Sequence, residues 1–149
     1  MMKHLLSLLI LCTILLPAGA AETTYTRTYD INAGSVTIDA AGTYLITGTG
    51  AKTTNTIKVN ASGQTVNITI QSIHIEADFS VGSLFEIIEG AVNLTLSGTN
   101  ILRVTGDGEY GKEKAALHIS ENQSLTITKE SDGASLTVDM GNVWASAIG

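Results

Sequence analysis

Val66-Asn67-Ile68-Thr69-Ile70 and Val92-Asn93-Leu94-Thr95-Leu96 are one short strand written twice, 26 residues apart. Leu125-Thr126-Ile127 repeats it a third time, and with Leu125 set against Leu94 the second interval reads as 31 residues. Apolar residues at every second position put one face of such a strand inside and the other outside. A strand this short, recurring at this interval, can bury its apolar face only against its own repeats, which predicts a stacked β-solenoid.

Working outward, each coil resolves into about three short strands. The second coil holds Ile57-Lys58-Val59, residues 66–70 and Ile73-His74-Ile75. The third holds Phe85-Glu86-Ile87, residues 92–96 and Leu102-Arg103-Val104; the fourth holds Leu117-His118-Ile119, Leu125-Thr126-Ile127 and Leu136-Thr137-Val138. A less regular first coil contains Val36-Thr37-Ile38 and Tyr44-Leu45-Ile46, with residues 25–32 as the cap strand before it. Alternation sends Ile57, Val59, Ile68, Ile70, Ile73, Ile75 and their equivalents inward. Residues 60–64 and 121–124 read as turns, and 76–84, 105–115 and 140–146 as loops on one side. After Ala21 no stretch keeps a helical apolar period for three turns, so the mature chain is expected to be all-β with essentially no helix.

Residues 1–20 are read separately. Lys3, the apolar run 5–16 and Pro17-Ala18-Gly19-Ala20 have the layout of a secretory signal peptide cleaved after Ala20, and the run is too short for a membrane span, which needs about 20 residues. Cys12 lies within the run behind Leu11, where a lipoprotein signal would have a small residue, so a lipid anchor is disfavoured. Cleavage removes the only cysteine, and stability then has to come from stacking. The remaining residues, 21–149, form a single domain by length.

Of the eight basic residues one, Lys3, belongs to the leader, which leaves seven Lys/Arg against fourteen Asp/Glu. That acidic balance argues against nucleic acid and anionic membranes as partners. Ala147-Ile148-Gly149 repeats the start of a coil, matching Ala116-Leu117-His118. No terminal cap follows it, so the sequence reads as continuing into further repeats or as covered at that end by a partner chain.

The run Tyr29-Asp30-Ile31 to Ile46-Thr47-Gly48-Thr49-Gly50, the Val-Asn-Leu-Thr-Leu strand and Ala145-Ser146-Ala147-Ile148-Gly149 together resemble secreted bacterial right-handed parallel β-helix proteins of the pectin-lyase-like superfamily. Within it the chain is most similar to carbohydrate-binding domain proteins and surface adhesins of anaerobic and gut bacteria. The resemblance spans nearly all of the mature chain. It implies a right-handed parallel β-helix that binds a polysaccharide or cell-surface glycan outside the cell, in some members with calcium. Solenoid repeats are shaped by stacking and host many activities, so the resemblance speaks for fold more than for function.

Three sets of residues are the candidates for chemistry. Arg103 faces outward, with His74 expected one coil below it and Thr137 one coil above, a basic column suited to uronate carboxylates. Counting onward from Ile75, Val104 and Val138 aligns Glu76 with Thr105 and Asp139, and Asp78 with Asp107; with Glu109 these acids on glycine-rich turns are the oxygen ligands that calcium would need. No other cofactor is implied. The same loops carry Phe79, Tyr110 and Trp144, whose faces can stack on sugars, although Phe79 lacks a polar tip and is equally suited to covering the core. Two further outward columns are expected: Thr69-Thr95-Thr126 beside Asn67-Asn93-Ser124, and Lys58-Glu86-His118. The leading reading is a non-catalytic carbohydrate-binding or adhesive module. A polysaccharide lyase, which needs calcium and an Arg or Lys base, is the alternative, and a structural stalk segment of a larger adhesin is the second.

Overall fold

The computed structural model describes residues 23–106, 115–141 and 146–149. The chain is all-β, and every pairing between its strands is parallel. In order come β1 (Arg27–Asp30), β2 (Val36–Ile38), β3 (Gly42–Thr47), β4 (Ile57–Gln71), β5 (His74–Asp78), β6 (Phe85–Ser97), β7 (Thr99–Thr105), β8 (Leu117–Ile119), β9 (Ser124–Lys129) and β10 (Ser135–Asp139). The helical content among the described residues is one 3-10 turn, Phe79–Val81, which follows directly on β5 where a loop is expected. Asp78 caps that turn, accepting a hydrogen bond from the Ser80 N–H at 3.0 Å. Among the described residues no helix is long and apolar enough to cross a membrane.

A seven-stranded sheet runs β1-β3-β4-β6-β8, with β2 also on β4 and β9 also on β6; a three-stranded sheet runs β10-β7-β5. Parallel neighbours cannot be joined by a tight hairpin and need a long crossover, most often a helix. Here the crossover is more strand: the chain leaves β4, forms β5 in the other sheet, and returns as β6 to lie against β4. Asn67 and Asn93 are neighbours across 26 residues, as the repeat demands. The next interval is 33 residues, not 31, because Leu125 lies against Val92 and Ile127 against Leu94.

Between the two sheets lies one apolar core. Ile57, Val59, Ile68, Ile70, Ile73 and Ile75 are all essentially inaccessible, as are Phe85, Ile87, Val92, Leu94 and Leu102, so the alternation sorts these strands correctly. β4 and β6 each run through a corner as continuous strands, so residues 60–64, expected as a turn, fall within β4, although 61–64 have no partner on β6. The pairing there shifts by two residues between Val59/Ile87 and Thr65/Ala91, and Gly63 and Gly90 take φ values of 68° and 110°. The last described layer is less covered: Ile127 sits in the rank of buried Leu94 yet is 43% exposed. Ile148 bridges to Leu117, so the expected match of Ala147-Ile148-Gly149 to residues 116–118 holds in space.

Among the described residues two buried positions are polar, Ser83 and Asn100, and only Asn100 has hydrogen-bond partners for its side chain. Asn100 is fully buried in the rank of Ile73 and Leu136. Its Oδ1 accepts from the Ile73 N–H at 3.2 Å, and its Nδ2 donates to the carbonyls of Ser97 at 3.1 Å and Ser135 at 3.0 Å. The side chain thus ties β7 to main chain on both neighbouring layers.

Two substitutions test this packing by urea unfolding. Ile68→Ala should cost about 2–5 kcal/mol, the range for deleting buried methylenes where neighbours cannot close in. Asn100→Leu, near in volume, should cost about 2–3 kcal/mol because the Ile73 N–H and the Ser135 carbonyl lose a buried partner; an unchanged midpoint would remove Asn100 from the stabilising set.

Candidate functional site

The outward face of the three-stranded sheet gathers most of the charge predicted to matter. Alternation along β5 turns Ile75 and Ala77 inward and His74, Glu76 and Asp78 outward. The register then places Glu76 against Arg103, and Arg103 against Asp139. Glu76 and Asp139 therefore share a rank as expected, but Arg103, not Thr105, stands between them. His74 and Thr137 both register with Ile101 rather than with Arg103, and Asp78 with Thr105. The error is a slip of two residues along β7, which leaves every inward residue inward and so breaks no rule of alternation.

The corrected rank is an ion-pair chain. Arg103 Nε donates to Asp139 Oδ2 at 3.0 Å, and Arg103 Nη1 lies 3.6 Å from Glu76 Oε2. Lys52, in the segment before β4, donates to Glu76 Oε1 at 2.6 Å; nothing in the repeat pattern singles this lysine out. His74 Nε2 lies 3.5 Å from Glu76 Oε2, and both atoms are shut off from solvent. The Lys52 ammonium above all, then the His74 and Arg103 side chains, hold the Glu76 carboxyl below its ordinary value, while burial pulls the other way. Asp139 is lowered first by the Gly141 N–H it accepts and then by Arg103. Asp78 is lowered by the Ser80 N–H.

This geometry bears on each chemical expectation. Arg103 is engaged on both sides by carboxylates. Glu76 and Asp139 are each occupied by cationic side chains and Asp78 by its turn, and no group of three His, Cys, Asp or Glu among the described residues is arranged to hold a metal ion. Asp107, Glu109, Tyr110 and Trp144 lie outside the described residues. Phe79 is half-buried and packs against the core, with Gly106 pressed close against its ring and against Asp78.

The seven-stranded sheet presents a different outer face. Lys58, Glu86 and His118 share the expected rank, with Lys58 Nζ 3.8 Å and His118 Nδ1 3.7 Å from the Glu86 carboxylate. The threonine and asparagine columns exist but are displaced in the last layer by the same two-residue slip: Thr126 follows Asn67 and Asn93, and Thr128 follows Thr69 and Thr95. The Asn93 Nδ2 donates to Asn67 Oδ1 at 2.9 Å, and the Thr95 and Thr128 hydroxyls meet at 3.3 Å. These ranks are uncharged and reach solvent.

Comparisons of the chain with family models, with curated proteins and with solved structures find no match.

The carboxylates predict an acid response. Their folded-state values lie below their ordinary ones, 4.5 for Glu76 and 3.8 for Asp78 and Asp139, so the stability they contribute is complete above those values and is lost as pH falls through the lowered ones. Urea midpoints measured from about pH 6 down to about pH 3 should fall, and the fall should be shallower in Glu76→Gln combined with Asp139→Asn. An identical profile in that double variant would show that this rank does not drive the response.

Proposed function

We propose that the chain is an exported right-handed parallel β-helix, with a leader cleaved after Ala20, that acts outside the cell as a non-catalytic carbohydrate-binding or adhesive module. The solenoid reading is supported by wholly parallel pairing, by crossovers made of strand, and by a single core shared by successive layers. The observation that carries the binding reading is the pair of uncharged outward ranks, Asn67-Asn93-Thr126 and Thr69-Thr95-Thr128. They run in register through consecutive strands, with the Asn67 and Asn93 amides fixed by their mutual hydrogen bond. Fixed amides and hydroxyls at about the 4.8 Å interval of neighbouring strands are suited to the repeating hydroxyls of a glycan lying along the stack. Their order lowers the entropy that binding would otherwise cost.

Lyase chemistry fits this surface less well. An arginine that removes a proton from the sugar carbon beside a uronate has to surrender its own charge partners, and Arg103 is held by Glu76 and Asp139. The aromatic part of the binding reading rests on Tyr110 and Trp144.

The test is retention of the full chain on insoluble polysaccharides, alongside polygalacturonate with calcium followed by the ultraviolet absorbance of unsaturated uronate products. Retention without that absorbance is the expected result, and replacing Tyr110 and Trp144 together with alanine should weaken it. Product formation would establish the lyase instead, and passage through every matrix without product would leave the stalk.

A further inference from the structure

The corner where β4 and β6 turn, next to the start of β9, carries an opening. Thr65, Ala91 and Ser124 register with one another across β4, β6 and β9. The residues just before them are Gln64, Gly90 and Gln123. This rank therefore has a carboxamide, a gap and a carboxamide, and a cleft of about 230 Å³ opens there, bounded by the chain at 63–65, 90–91 and 122–124.

The glycine is demanded by the main chain. Gly90 has a φ of 110°, and a Cβ placed on it would lie 2.7 Å from the Ala61 carbonyl oxygen and 3.1 Å from that of Gln64. No side chain fits at Gly90, because main-chain carbonyls of the preceding strand already occupy that place, and among the described residues the only side chain brought to its main chain is the Gln123 carboxamide. Both carboxamides are also fixed. Gln64 Oε1 accepts from the Ala41 N–H at 2.6 Å, and Gln123 Oε1 accepts from the Gly90 N–H at 2.6 Å while its Nε2 donates to the Glu121 carbonyl at 3.1 Å. Each glutamine thus reaches back one layer to cap main chain at the same corner. Among the described residues no protein acceptor takes the Gln64 Nε2, which stays available at the rim.

Size and charge narrow the ligand. Sites for drug-sized molecules occupy about 300–1,000 Å³, so this cleft suits a single ring and not a nucleotide or a cofactor. No residue lining it is charged, and the nearest charges along the chain, Glu89 and Glu121, are exposed acids that repel anions. The lining holds no carboxylate to pair a cation either, and its amides, hydroxyl and main-chain groups suit a small neutral group rich in hydroxyls. We propose that the Gln64-Gly90-Gln123 cleft is a subsite for one neutral hexopyranose unit of a glycan, with carboxamide and main-chain groups hydrogen-bonding its hydroxyls. This rests on the carbohydrate-binding reading and makes it specific: the sugar is neutral rather than a uronate, and it sits at the corner and not over Arg103.

The experiment uses the full chain on insoluble cellulose, chitin and mannan, with insoluble polygalacturonate as the acidic comparison. Two variants are compared with it. Gln64→Glu keeps an oxygen for the Ala41 N–H but exchanges the free amide donor for a carboxylate; Ser124→Trp fills the cleft from an exposed strand position. Each should weaken retention on the neutral matrix by about tenfold, which is 1.4 kcal/mol, while thermal unfolding stays unchanged. Retention on a neutral glycan that both folded variants preserve would overturn the subsite and leave the binding function standing. Retention on polygalacturonate alone would also overturn the subsite, since it requires a neutral sugar. Passage through all four matrices would remove the carbohydrate-binding reading itself, and the subsite with it.

Discussion

The buried amide of Asn100 is the interaction on which the register of the layers depends. An alternating strand in a parallel stack can slide by two residues without exposing any apolar side chain, so the hydrophobic effect alone leaves several registers close in energy. Asn100 separates them, because its carbonyl oxygen is matched to the Ile73 N–H on one side and its amide to the Ser135 carbonyl on the other. Sliding β7 by one pair would put Leu102 or Gly98 in that place and orphan both main-chain groups in the core, at about 1–3 kcal/mol each. A single buried asparagine plays the same part in coiled coils, where it fixes register at some cost in stability.

That division of labour explains which features were legible in the sequence. Inside and outside were legible because β-branched and aliphatic residues alternate with polar ones, and Ile57 through Ile75 fall where alternation sends them. The 26-residue interval was legible because both copies of the strand share Val, Asn and Thr at matching positions. Column partners were not, since His74 and Glu76 are equally outward and alternation does not say which of them meets Arg103; contacts such as those of Asn100 do. The displaced threonine and asparagine columns failed for the same reason: Leu125-Thr126-Ile127 fits two registers of the pattern and belongs against Val92-Asn93-Leu94. Lys52 lies outside the repeat altogether, and only the folded chain shows it at Glu76.

Register in turn decides what the three-stranded face can do. Had Arg103 stood over His74 with Thr137 above, the column would have been basic and open to an anionic sugar. With Glu76 and Asp139 on either side, the guanidinium is neutralised by its own sheet. The more exposed links of this ion-pair chain, Lys52 to Glu76 and Arg103 to Asp139, contribute little to stability pair by pair. The ion-pair chain also leaves little unsatisfied charge to attract a ligand, since any incoming carboxylate must displace one already in place.

The same reasoning separates the corner from both faces. Along a stack of parallel strands, identical or complementary side chains lie about one strand spacing apart, close enough to satisfy one another, and the outward ranks do so: carboxylate to guanidinium, amide to amide, hydroxyl to hydroxyl. The ion-pair chain has least left over for a ligand, while the uncharged ranks keep the amide and hydroxyl valences that their mutual bonds do not use. Capacity for binding is greatest where the repetition is interrupted by a residue that cannot take part. Gly90 is such an interruption, forced by the main chain around it: without a side chain there, Gln64 and Gln123 bond main chain rather than each other, and the Gln64 Nε2 is left at the rim of the cleft. In such a scaffold the regular uncharged ranks give an extended surface, and a subsite specific for one unit is expected at the defect in the repeat.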